Sequence, residues 1–124
     1  MIILTKEQII SMHELLIERT GGLNGVKDYG LLESAINNPF QTFMGKELYP
    51  TIQRKAANLC YSLINNHAFN DGNKRIGILA MLTFLELNGI VIACSDDELV
   101  SLGLNIASGK FTQKDILNWI VTYS

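Results

Sequence analysis

The sequence predicts an all-α fold, and three observations carry that prediction. Only two prolines, Pro39 and Pro50, interrupt the chain, and together they bracket a single segment. Helix-start chemistry recurs along the rest. Thr5 with Gln8 and Ser95 with Glu98 have the spacing of capping boxes, and Thr112 is a further N-cap. Finally, Ile76 to Leu87 is apolar on almost every side, the pattern of a helix at the centre of a bundle. At 124 residues the chain suits one domain, 1–124, large enough to bury a core without disulfides.

Met1 to Leu4 reads as a short strand or an extended lead-in. The helix capped by Thr5 runs to about Arg19 and stops at Gly21-Gly22. Asp28 or Tyr29 leads into a short helix, Gly30 to Asn37, which Pro39 ends. The stretch between Pro39 and Pro50 is the segment least suited to a helix. Thr51 opens the next one, whose apolar positions Ile52, Ala56, Leu59, Cys60, Leu63 and Ile64 share a face. Gly89 closes the central helix. Ser95 starts another, to about Ser108, with Asp96, Asp97 and Glu98 favourably placed at its positive end. The last helix follows Thr112 through Trp119, with Ile116, Trp119, Ile120 and Tyr123 on its core face. Met12, Met44 and Met81 read as gap-fillers.

Composition excludes several functions. Ten Lys and Arg against twelve Asp and Glu give a net charge of -2, a poor basis for binding a nucleic-acid backbone. No apolar run reaches the roughly 18 residues of a membrane span. Cys60 and Cys94 lack the spacing of a disulfide framework or a metal site. The N-terminus lacks the pattern of a signal peptide. The expected location is the cytoplasm.

Chemistry concentrates in one place. His67-Ala68-Phe69-Asn70-Asp71-Gly72-Asn73-Lys74-Arg75 crowds polar and ionisable groups between two apolar helices. Such groups are costly beside a core unless exposed or paired, so 67–75 is expected as a loop at the mouth of a cleft. The helix behind it would offer unpaired N–H groups and a positive dipole end. Gly72-Asn73 suits an anion-binding nest, and Lys74 and Arg75 add positive charge. His67 is a candidate base near neutrality, and Asp71 a candidate Mg²⁺ ligand. Base, metal carboxylate and phosphate nest are recurring parts of phosphoryl transfer. Each residue alone is ordinary turn or surface chemistry; the joint arrangement before an apolar helix is not.

These residues resemble the signature loop of the Fic/Doc family, His-x-Phe-x-Asp/Glu-Gly-Asn-x-Arg, at His67, Phe69, Asp71, Gly72, Asn73 and Arg75. Asp28-Tyr29-Gly30-Leu31-Leu32-Glu33-Ser34-Ala35, Lys55-Ala56-Ala57 and Asn88-Gly89 resemble its death-on-curing branch in particular. The resemblance implies the Fic-fold helical bundle around the 76–87 helix, with a flap or hairpin near 39–50. It implies that His67 deprotonates a target hydroxyl, Phe69 anchors the loop and Asp71 holds Mg²⁺. Gly72 and Asn73 would form the anion nest, with Lys74 and Arg75 on the phosphates of ATP. The flap would dock the target as an added strand, clamped by Phe40 and Phe43, whose alternative is plain packing.

Two departures set the expected reaction. Adenylylating members resembling this chain carry a small residue at the position of Lys74 and a second arginine at the position of Ile78. A long cation at 74 resembles instead the death-on-curing toxins, which transfer the γ-phosphate of ATP to a threonine of elongation factor Tu. The expectation is therefore a toxin with protein kinase activity. Some family members silence themselves through a helix in which a glutamate precedes Gly or Asn. No glutamate here does so, which implies a separate antitoxin covering the groove. The alternatives are AMP transfer to a protein hydroxyl and a non-catalytic groove-binding module. A Zn²⁺ hydrolase is disfavoured, because His13 is the only other histidine and reads as structural.

Overall fold

The computed structural model describes residues 1–124. Residues 1–4 form no strand; Asn88 instead clasps Ile2, accepting from its N–H at 2.8 Å and donating to its carbonyl at 2.9 Å. Thr5 then caps α1 (Lys6–Thr20) through the expected box with Gln8. Asp28 caps α2 (Tyr29–Asn37), which starts one residue before Gly30 because the Asp28 carboxylate accepts from the Leu31 N–H. Pro39 tightens the chain into a 3-10 turn, Asn38–Phe40.

The segment between the prolines is a small antiparallel hairpin. β1 (Thr42–Phe43) pairs with β2 (Lys46–Glu47), Thr42 opposite Glu47 and Phe43 opposite Lys46. Its two-residue loop has positive φ at both Met44 and Gly45, which suits the right-handed strand twist. Met44 is thus a turn residue, 87% exposed, and not the gap-filler its residue type suggests.

Thr51 caps α3 (Ile52–Asn66); of its expected face, Ala56, Leu59, Cys60, Leu63 and Ile64 are buried and Ile52, at the helix start, is half-buried. α3 packs most closely on α4 (Asn73–Leu87). Gly77 makes that approach possible: a Cβ there would lie 2.6 Å from Ile64 Cγ1. α5 (Asp96–Ala107) and α6 (Gln113–Tyr123) complete the bundle, each opened by its capping box.

Two expectations for the central helix need correction. It begins at Asn73, not Ile76, so the 67–75 loop is really a 67–72 loop followed by the first helical turn. Nor is it buried all round. Ile76, Gly77, Ala80, Met81, Phe84 and Leu85 are buried, whereas Ile78, Leu79 and Leu82 are half-buried and Leu87 is 42% exposed. The half-buried side, Ile78, Leu79 and Leu82, lines a groove.

Buried polar groups tie outer elements to this core. Lys55, 2% exposed, pairs with Glu47 at 3.0 Å and donates to the Tyr49 carbonyl, anchoring the hairpin to α3. Asn58 accepts from Asn38 and donates to Gln113, each at 3.0 Å, linking the 3-10 turn to α6. Cys60 and Cys94 are free thiols, and burial pushes Cys60 far above the ordinary thiol range, as expected of an inert core residue. No helix is long and apolar enough to cross a membrane.

Candidate active site

The loop between α3 and α4 is held on three sides. α3 ends at His67, whose left-handed backbone (φ 50, ψ 47) turns the chain sharply and leaves the side chain exposed. Phe69 is 1% exposed and anchors the loop in the core. On its outer flank the loop pairs with residues 25–28. Lys27 and Asp28 N–H groups donate to the Ala68 carbonyl at 2.8 and 3.1 Å, and Asn70 N–H donates to the Gly25 carbonyl at 3.1 Å. The backbone groups of Phe69 point the other way. There the Asn73 side chain takes both, accepting from the Phe69 N–H at 3.1 Å and donating to its carbonyl at 3.0 Å. Asn73 is the first residue of α4, so the clasp ties the loop to the start of that helix.

Gly72 is the N-cap of α4, with φ +74, a conformation that favours glycine. A Cβ there would also crowd Ile17 Cδ1 at 3.1 Å. The Gly72 N–H donates to Asp71 Oδ1 at 2.8 Å. Asp71 is about half exposed, and its other oxygen accepts from the Leu23 N–H at 3.4 Å. The chain passes this carboxylate closely at Gly22, where a Cβ would lie 2.5 Å from Oδ2. Arg75 lies one helical turn on, 3.8 Å from Asp71. It also donates to the Thr20 hydroxyl and, at 3.3 Å, to the Gly21 carbonyl at the end of α1. Lys74 beside it is exposed.

His67, Asp71, Gly72, Asn73, Lys74 and Arg75 therefore share one loop and the helical turn after it, at the positive end of α4. No group of three or more His, Cys, Asp or Glu side chains gathers that would form an all-protein metal cage. A single accessible carboxylate instead fits Mg²⁺, which takes most of its ligands from water and substrate phosphates. The hairpin residues divide. Phe43 is 67% exposed, whereas Phe40 is half-buried and packs edge-on to Phe84, ring centres 6.2 Å apart. Phe40 lies in the 3-10 turn before the hairpin, and Phe43 in the hairpin itself.

A groove of about 520 Å³ leads away from Lys74 and Arg75. Its floor is Ile78, Leu79 and Leu82 of α4, with Leu16 of α1 on one wall and Val100 and Leu104 of α5 on the other.

The family model described as the Fic/DOC family matches residues 3–85. This chain belongs to the Fic/DOC family. The match takes in the whole 67–75 signature and the elements that hold it. Among curated relatives, this Fic/DOC chain is 47% identical to Toxin Doc of Mycolicibacterium smegmatis over 77 residues, 62% of this chain and 59% of the relative. It is 30% identical to Protein kinase doc of Escherichia phage P1 over 113 residues, 91% of this chain and 88% of the relative.

Sequence reasoning missed the support of this Fic/DOC site. Gly21-Gly22 reads as a helix stop and is one, but Gly22 also admits the Asp71 carboxylate. Thr20 gives no signal of its contact with Arg75. His13, on α1, reads as structural and is buried, yet it touches the loop directly, stacking on Phe69 and bonding the Asp71 carbonyl.

Proposed function

We propose that this chain is the toxin of a toxin–antitoxin pair and an Mg²⁺-dependent protein kinase. It moves the γ-phosphoryl group of ATP to a threonine or serine hydroxyl of elongation factor Tu and so halts translation in the cytoplasm. The observation that carries the choice of reaction is the first turn of α4. Lys74 stands exposed beside Arg75, and Ile78, one turn on, faces the apolar groove where adenylylating relatives of the resembled family hold a second arginine. The name of the phage relative, Protein kinase doc, supports the same choice.

The residues divide the work as follows. The target hydroxyl loses its proton to His67, whose exposed ring suits contact with a second protein. The oxygen then bonds the γ-phosphorus while the bond to the ADP oxygen breaks. Arg75, Lys74 and the N–H groups at the start of α4 hold the phosphate charge in place. Asp71 is the residue that would hold Mg²⁺, whose bound charge neutralises the phosphates. The hairpin presents Phe43 and an open strand edge for the target.

The name Toxin Doc supports an antitoxin partner. The groove supports its place: Val100 and Leu104 remain 62% and 54% exposed along it, as suits a covering amphipathic tail.

The test is mass spectrometry of purified elongation factor Tu after incubation with the protein, Mg²⁺ and ATP. A single added phosphoryl group on a hydroxyl is the expected result. An added AMP group would mean adenylylation. No modification, with nucleotide bound, would favour a different target or a groove-binding module.

A further inference from the structure

His13 is buried at 1% exposure in the middle of α1. Its ring lies flat on Phe69, centroids 3.8 Å apart and planes 16° apart. Its Nε2 is 2.7 Å from the carbonyl oxygen of Asp71. A carbonyl only accepts, so Nε2 carries the hydrogen and donates.

That bond has a consequence for the peptide unit joining Asp71 to Gly72. The peptide is trans, so its carbonyl and its N–H point to opposite sides. With the carbonyl drawn inward to His13, the Gly72 N–H is turned outward, where it now meets Asp71 Oδ1. Gly72 lies close to the Nε2 edge of the ring: a Cβ on it would be 3.5 Å from His13 Nε2. A left-handed glycine flanked by a turn is where a peptide most easily flips. The other bonds to this loop fasten the backbone of Ala68, Phe69, Asn70 and Gly72 and the side chain of Asp71, and leave the 71–72 carbonyl to His13.

We propose that His13 is a positioning residue for phosphate binding: its Nε2–H holds the 71–72 peptide with the Gly72 N–H facing the nucleotide. The inference rests on the proposed nucleotide site and adds to it a residue 58 positions away in the sequence.

Two substitutions separate its bond from its packing. His13→Phe keeps a flat ring on Phe69 and loses the donor. His13→Gln loses the ring and keeps an amide N–H near the position of Nε2. The measurements are ATP binding by titration calorimetry with Mg²⁺, KM for ATP, and thermal unfolding. His13→Phe is expected to weaken ATP binding and raise KM about ten-fold or more, the scale of a lost buried hydrogen bond. His13→Gln is expected to stay within about three-fold of the wild type, even though it loses more packing. ATP binding by His13→Phe equal to wild type would overturn the positioning role and leave the nucleotide site standing. So would an equal loss in both variants, which would assign the effect to packing. No ATP binding by the wild-type protein would remove the site itself and the inference with it. Should His13→Phe fail to fold, the Gly72 amide resonance of the wild type decides. It is expected to shift on adding Mg²⁺ and ATP, and an unmoved resonance overturns the inference.

Discussion

Replacing Asn73 by alanine removes the clasp that joins the site loop to the central helix. The side chain makes two bonds, 3.1 Å from the Phe69 N–H and 3.0 Å to the Phe69 carbonyl. Both groups belong to a residue whose side chain is 1% exposed, and neither has another sheet or helix partner to turn to. A buried backbone group left without its partner costs about 1–1.5 kcal/mol once partial access by water is allowed. Two such groups make the loss about 2–3 kcal/mol. For a domain of this size that is a fall in melting temperature of about 8–12 °C. Urea unfolding at 25 °C, followed by circular dichroism, reads the free energy, and a thermal scan reads the shift. Asn73→Asp is expected to fare no better: it still accepts from the Phe69 N–H but sets a carboxylate against the Phe69 carbonyl. Asn73→Ala within about 0.5 kcal/mol of wild type, the range of an ordinary surface change, would refute this account of how the loop is held.

Lys55→Ala leaves the Tyr49 carbonyl without its partner and the half-exposed Glu47 carboxylate to water, and is expected to destabilise by about 1–3 kcal/mol in urea. A change under 1 kcal/mol would show the hairpin anchored by other means. Phe43→Ser, at a 67% exposed position, should leave the melting temperature unchanged within error yet slow modification of the protein target. Unchanged target kinetics would sink the docking role of the hairpin. The Tyr123 hydroxyl, with help from Ser95, holds the Glu98 carboxyl below the usual carboxylate range. Its folded value is the depressed one, so its stabilisation is complete at neutral pH and fades as pH drops below about 4. The gap in melting temperature between wild type and Glu98→Gln should therefore narrow on acidification, and a gap that widens would contradict the assignment.

What the sequence made legible is local. Thr5 with Gln8, Ser95 with Glu98, Asp28, Thr51 and Thr112 all cap the helices they announce, because each cap is a contact across three residues. The start of α4 was less legible: its N-cap is a left-handed glycine, and Asn73 joins the helix through a bond back to Phe69 that no propensity encodes. The apolar circumference of 76–87 correctly marked the centre of the fold, but one side of it faces a groove, so hydrophobicity alone overstated its burial. His13, Lys55 and the pairing of 25–28 with the loop escaped for a shared reason. Their partners lie far along the chain or depend on a hairpin folding back, and side-chain type says nothing of such distances. The candidate site residues stand out because six chemical positions crowd one short stretch, whereas the residues that hold them are scattered over α1 and the turn after it.

The most direct test of the central claim is label transfer from ATP carrying the label at either the γ- or the α-phosphate. The reaction uses a bacterial lysate with Mg²⁺, and the His67→Ala variant is the control. The account predicts protein label from the γ-phosphate alone, lost in the control while the variant keeps its fold. Label from the α-phosphate would contradict the meaning assigned to Lys74 and Ile78, and γ-label undiminished in His67→Ala would contradict the role of His67 as the base.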